Sequence, residues 1–128
     1  MIYVDSSVAL AELLSEQRAP PSSLWAESLI ASRLLQYEVW TKINTLGFFR
    51  THGEAASETL QHIKMVELSE DVLARALEPF PVAVRALDAL HLATIEFLRS
   101  RAYSIELASY DSRLIAAAEA LDVPIFQL

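Results

Sequence analysis

Four carboxylates in this sequence, Asp5, Glu38, Asp88 and Asp111, lie beside or within apolar runs rather than in solvated charge clusters. Asp5 follows the run Ile2-Tyr3-Val4, and the carboxyl ends of parallel strands are where α/β sheets place ligands. Asp88 interrupts the series Val84, Leu87, Leu90, Leu92 and Ile95. A carboxylate there is costly to bury unless a cation or several donors meet it. Asp111 follows a run ending at Ser109, and Glu38 lies mid-helix between Leu34 and Trp40. Each has an ordinary structural reading as well. Asp5 and Asp111 can cap the helices that follow them, Asp88 can face a helix dipole, and Glu38 can pair with Lys42 one turn on. Together, two strand-end acids and two helix acids can converge on one cleft, where four like charges repel unless a cation joins them. Oxygen-only ligands select a hard ion, Mg2+ or Mn2+, over zinc.

Other chemistries find less support. Gly47 and Gly53 are the only glycines, so no phosphate-cradling glycine loop or dinucleotide fingerprint can be built. With no cysteine there are neither disulfides nor thiolate metal sites. An aspartate-nucleophile phosphatase would want a second acid two residues after Asp5, where Ser7 stands. His91 sits one turn after Asp88 among apolar neighbours and reads as a packed helix histidine. Arg85 and Arg113 flank the acids and are the candidates for phosphate contacts. Trp25, Tyr37, Trp40, Phe48 and Phe49 can stack bases, but beside leucines they read as core or dimer interface.

The 128 residues bound a single domain, spanning 1–128, with one continuous core. A hydrophobic content of 53% argues against disorder and points to apolar surface covered by a second copy in a homodimer. The formal charge of −7 opposes broad electrostatic binding of nucleic acid, although carboxylates reserved for a divalent ion change that sum. Eight of the ten basic residues are arginine, the better phosphate-recognising type. No basic leader precedes Asp5 and no apolar run reaches membrane-spanning length, so the expected location is cytoplasmic.

Elements that would position the acids follow from periodicity. Ile2–Val4 predicts a buried strand, and Val8–Leu14 a helix with Ser6 or Ser7 ahead of it as cap. Pro20-Pro21 stops the chain, and a helix starting at Ser22-Ser23 is expected to run through Trp25 and Leu29. A weak strand at Leu29–Ser32 precedes a helix from Leu34 to Leu46, with Gly47 at its end. Gly53–Gln61 predicts a helix, Ile63–Leu68 a strand, and Ser69 a helix cap. After Pro79 and Pro81 come a long helix, Ala86–Ser100, a strand, Ser104–Ser109, a helix, Asp111–Leu121, and a closing strand, Val123–Phe126. Alternating strands and helices call for a mostly parallel sheet covered on both faces.

Three segments carry a more specific resemblance: Ile2-Tyr3-Val4-Asp5-Ser6-Ser7, Leu87-Asp88-Ala89-Leu90-His91-Leu92-Ala93-Thr94 and Ser109-Tyr110-Asp111-Ser112-Arg113-Leu114. They resemble the signature stretches of PIN-domain ribonuclease toxins of the VapC family, and their order and the chain length match as well. The resemblance implies a PIN-like three-layer α/β/α domain with a mostly parallel central sheet. It implies that Asp5, Glu38 and Asp88 are the principal acids and Asp111 the fourth, with Asp5, Asp88 and Asp111 holding Mg2+ or Mn2+. Ser6 and Ser109 would be supporting hydroxyls. The activity implied is metal-dependent endoribonuclease cleavage by the toxin of a type II toxin–antitoxin pair, with RNA as substrate and an antitoxin as partner. Two alternatives are a non-catalytic interaction module of the same fold and a structure-specific DNA nuclease of the same superfamily. For the latter, a helical clamp insertion and a basic DNA path are missing from the sequence.

Overall fold

The computed structural model describes residues 1–14 and 17–128. Four strands form one sheet: β1 (Ile2–Val4), β2 (Leu29–Ser32), β3 (Ile63–Val66) and β4 (Glu106–Ala108). Their spatial order is β3-β2-β1-β4, and every pairing is parallel. Among the described residues, six α-helices and one 3-10 turn (Ser22–Ala26) complete the element order: α1 (Ser6–Leu14), α2 (Leu34–Thr45), α3 (Phe49–Gln61), α4 (Glu70–Ala76), α5 (Ala86–Ser100) and α6 (Ser112–Ala120).

The side-chain alternation of the strands builds two apolar layers. Ile2, Val4, Leu29, Ala31, Ile63 and Ala108 face one layer, where they meet Val8 of α1, Leu35, Val39 and Ile43 of α2, and Ala56 and Leu60 of α3. Tyr3, Ile30 and Leu107 face the other and meet Leu92, Ile95 and Leu98 of α5 and Leu114, Ala117 and Ala118 of α6. Both faces of the sheet are covered at its centre, which is why β1 and the start of β2 read as unbroken apolar runs, whereas the outer strands carry the exposed Lys64 and Glu106. The result is the three-layer α/β/α arrangement expected from the sequence, with the sheet wholly parallel among the described strands.

Several boundaries differ from the sequence reading, each for a local reason. Instead of a helix from Ser22 through Leu29 there is one 3-10 turn, Ser22–Ala26, because Leu29 is already committed to β2 beside β1. Helix α3 starts at Phe49, four residues before Gly53. Ahead of it Gly47, at φ 75°, closes α2: its N–H reaches Asn44 O, and the Phe48 N–H reaches Ile43 O at 2.9 Å. This left-handed close satisfies the last carbonyls of α2 and turns the chain straight into α3. Strand β3 ends at Val66 rather than Leu68, since its partner β2 ends at Ser32. The expected strand Ser104–Ser109 shrinks to Glu106–Ala108. The closing strand Val123–Phe126 is a single bridge, Leu107 to Ile125, where Pro124 supplies a carbonyl but has no N–H to extend a ladder. Ser69 caps α4 as expected, accepting the Val72 N–H.

Candidate active site

Because all four strands run the same way, the residues that follow β1, β2 and β4 gather at one edge of the sheet. Asp5 follows Val4, Arg33 and α2 follow Ser32, and Ser109 and Asp111 follow Ala108. Asp5 is 4% exposed, and its two oxygens are held by different hydroxyls. The Ser7 Oγ donates to Oδ1 at 2.6 Å, and the Ser109 Oγ donates to Oδ2 at 2.9 Å. Each hydroxyl also accepts a backbone N–H, Ser7 from Tyr110 and Ser109 from Asp111, both at 2.9 Å. A hydroxyl that accepts from the backbone on one side is free to turn its single proton to the carboxylate on the other. Burial nevertheless dominates and pushes the Asp5 pKa up from 3.8 to about 6, with the nearby charge of Asp111 pushing the same way.

Asp88 lies in the first turn of α5 and is partly buried. Burial raises its pKa first, and the charges of Asp111 and Glu38 add to the rise, while His91 and Arg85 oppose it. Among the described residues it has no ion-pair partner. Asp111 caps α6, its Oδ1 accepting the Arg113 N–H at 2.9 Å and the Leu114 N–H at 3.3 Å. The cap occupies one of its oxygens and leaves Oδ2 for another partner. Its negative charge bears on both Asp5 and Asp88.

Glu38 does not pair with Lys42. Its Oε1 is 2.7 Å from His91 Nε2, and its side chain is 19% exposed. His91, 2% exposed, continues inward: its Nδ1 lies 2.7 Å from the Tyr3 hydroxyl, which accepts the Ser32 backbone N–H at 3.2 Å. The four acids therefore form one electrostatic group, linked through Asp111 on one side and through His91 on the other.

The remaining candidates divide. Ser109 bonds Asp5 directly, but the second hydroxyl on Asp5 is Ser7, not Ser6, because α1 begins at Ser6 and its first turn carries Ser7 back over Asp5. Arg85 is the residue that precedes the first turn of α5, and its charge lowers the pKa of Asp88. Arg113 is exposed beside Asp111. The sequence offered Ser7 only as a helix cap, and it did not single out Tyr3 or Ser32 as parts of the site. A serine two residues after a strand-end acid is a usable signal for the first; the other two could only be found from the register that sets β1 beside β2.

The donor chemistry fits a hard divalent cation, since Asp88, the free oxygen of Asp111 and the spare lone pairs of Asp5 are all oxygen and are not neutralised by a salt bridge among the described residues. No three Asp, Glu or His side chains among the described residues form a ready-made metal cage. Mg2+ keeps several waters and needs only one or two protein carboxylates, so an open set of this kind suits it better than it suits zinc or calcium.

A family model for the PIN domain matches residues 2–120 of the chain. No curated protein sequence matches it significantly. Several solved structures share its fold, two of them as follows. One is a toxin–antitoxin complex from Klebsiella pneumoniae, with TM-score 0.68 and 18% identity over 94% of each chain. The other is VapC20 of Mycobacterium tuberculosis, a sarcin-ricin loop cleaving toxin, with TM-score 0.65 and 20% identity over 91% of this chain and 95% of that one. At such identities the likeness speaks for the fold, and the family model, spanning nearly the whole sequence, settles the kinship: the chain belongs to the PIN domain family.

Proposed function

We propose that the chain is a metal-dependent endoribonuclease, the toxin of a type II toxin–antitoxin pair. The observation that carries this reading is a buried Asp5, aimed by two hydroxyls, with Asp111 close enough to raise the pKa of both Asp5 and Asp88 and no salt bridge among the described residues to neutralise any of the three. Like charges gathered in this way favour the binding of a cation. Of the structures with the same fold, one is a toxin–antitoxin complex and another is a sarcin-ricin loop cleaving toxin.

In this reading Asp5, Asp88 and Asp111 hold Mg2+ or Mn2+. The bound ion would polarise the phosphodiester and stabilise the departing oxygen. Ser7 and Ser109 keep both Asp5 oxygens oriented. Glu38 has Oε1 engaged by His91, which leaves Oε2 to accept the proton of the attacking water. Arg85 and Arg113, at the two helix starts beside the acids, contact the phosphates that flank the cut. An antitoxin holds the chain inactive until released, a homodimer covers exposed apolar side chains such as Leu73 and Leu77 of the α4 region, and RNA as substrate goes with a cytoplasmic setting. No helix among the described residues is long and apolar enough to cross a membrane.

The test is cleavage of purified total RNA by the purified chain with Mg2+ or Mn2+, against EDTA and against duplex DNA. Discrete RNA fragments that need metal and vanish in Asp88→Asn are the expected result. Cleavage of the DNA alone, or none in any arm, would overturn the reading.

A further inference from the structure

His91 has no place in the reaction described above, yet it is among the most enclosed polar residues of the molecule, 2% exposed and bonded at both ring nitrogens. Its partners allow one assignment of protons that satisfies every group without burying a positive charge. The Ser32 N–H occupies one lone pair of the Tyr3 oxygen, so the Tyr3 O–H is available to donate to Nδ1. That leaves the proton of a neutral imidazole on Nε2, pointing at Glu38 Oε1. The opposite tautomer would set a bare Nε2 against a carboxylate oxygen 2.7 Å away, two acceptors with no proton between them.

The chain Ser32 N–H to Tyr3 to His91 to Glu38 begins on β2, passes through β1 and α5, and ends on α2. Tyr3 is two residues before Asp5 on β1, and His91 is one helical turn after Asp88 on α5. The two elements that carry Asp5 and Asp88 thus also hold the carboxylate of Glu38, the one acid on an otherwise separate helix.

We infer that His91 is a positioning residue, which together with Tyr3 fixes the Glu38 carboxylate relative to Asp5 and Asp88 through a directional hydrogen-bond relay. Its consequence for rate rests on the ribonuclease reading; the relay itself does not. Hydrogen-bond partners that orient a site carboxylate cost about 10–100-fold in activity or affinity when removed.

The test uses His91→Leu, His91→Asn and His91→Gln in the full chain, each alone and combined with Glu38→Ala. Glutamine places its amide near the position of Nε2 and asparagine near that of Nδ1, so only glutamine can still donate to Glu38. Leucine and asparagine are expected to slow cleavage of labelled total RNA in saturating Mn2+ about 10–100-fold, with glutamine recovering most of the loss. In the Glu38→Ala background the three should differ by less than about twofold, because the coupling has been removed. Nitrogen-15 NMR of the unmutated protein should show His91 protonated on Nε2 and bare on Nδ1, with the Nε2 shift moving in Glu38→Ala. If leucine prevents folding, the asparagine and glutamine pair decides. Equal losses in those two, or a His91 protonated on Nδ1 alone, overturn the inference. If the unmutated chain cuts no RNA, the ribonuclease reading fails, and the nitrogen spectrum still decides for or against the relay.

Discussion

Ser109 and Asp5, 104 residues apart in the chain, share a 2.9 Å hydrogen bond from the serine hydroxyl to Asp5 Oδ2. The same hydroxyl accepts the backbone N–H of Asp111 at 2.9 Å, so one small side chain ties the end of β1 to the start of α6 and sets two acids in fixed relation. Replacing Ser109 with alanine removes a donor that favours the charged form of Asp5. Its pKa should then rise above the present value of about 6. The pH profile of RNA cleavage in Ser109→Ala is expected to move its acid limb upward. An unmoved limb would show that Asp5 is not the group that titrates.

The raised pKa of Asp5 makes its own contribution to stability. In the unfolded chain the group titrates near 3.8, and in the fold near 6. Between those values the folded protein binds the proton more firmly, so stability falls as pH rises through that window and stays lower above it. With the pKa raised from 3.8 to about 6, the loss is roughly 3 kcal/mol for this one group. Asp5→Asn should remove that dependence. In EDTA its melting temperature should match the unmutated protein below about pH 4, exceed it increasingly as pH rises from about 4 to 6, and keep a constant margin above that. Thermal melts across this range, in which the two curves stayed parallel, would contradict the assignment of burial as the dominant cause.

Asp111 does two things at once, and they can be separated. Its Oδ1 caps α6 through Arg113 and Leu114. Asparagine keeps an acceptor there and alanine does not. Asp111→Ala should therefore cost about 1 kcal/mol of stability by denaturant titration, while Asp111→Asn stays close to the unmutated value. If Asp111 also holds the ion, both variants should weaken Mn2+ binding alike, measured by electron paramagnetic resonance. Full affinity in Asp111→Asn would confine this residue to its capping role.

Part of this was legible in the sequence for a physical reason: strands buried on both faces advertise themselves as short apolar runs, and an acid just past such a run stands at the sheet edge where ligands bind, whether or not it also caps a helix. Ile2–Val4 with Asp5 and the apolar α5 with Asp88 are of that kind. The partners of the acids were harder. Glu38 stands four residues before Lys42, which makes a surface pair the natural reading, and only the packing of α2 against the sheet edge brings it to His91 instead. Ser6 and Ser7 are indistinguishable by type, and the choice between them depends on where the first turn of α1 begins. The 3-10 turn at Ser22–Ala26 follows from tertiary demand, since β2 must reach its place beside β1, and local propensity carries no trace of that.

A cleft of about 450 Å³ runs beside Glu38 between α1, α2 and the start of α5, lined by Leu10, Leu34, Tyr37, Thr41 and Leu87 among others. Tyr37 is 65% exposed and Leu87 48%, large apolar side chains at the rim of an acidic site. In the proposed toxin–antitoxin pair this is where an amphipathic helix of the inhibitor would lie, bringing an arginine or lysine to carboxylates that lack their cation. A guanidinium can pair two carboxylates at once and so compete with the ion. The complex is therefore expected to form readily in EDTA and to lose affinity as Mn2+ is added. Exposed aromatic anchors carry a large share of such binding, and losing one typically costs 2 kcal/mol or more, so Tyr37→Ala should weaken the partner by about 30-fold or more. The same variant should leave Mn2+ affinity unchanged, because Tyr37 holds none of the acids in place. Calorimetric titration of the partner that suppresses cleavage, with Tyr37→Ala beside the unmutated chain, measures both. A partner that binds Tyr37→Ala as tightly as the unmutated protein, or one whose affinity is indifferent to Mn2+, inhibits from another surface.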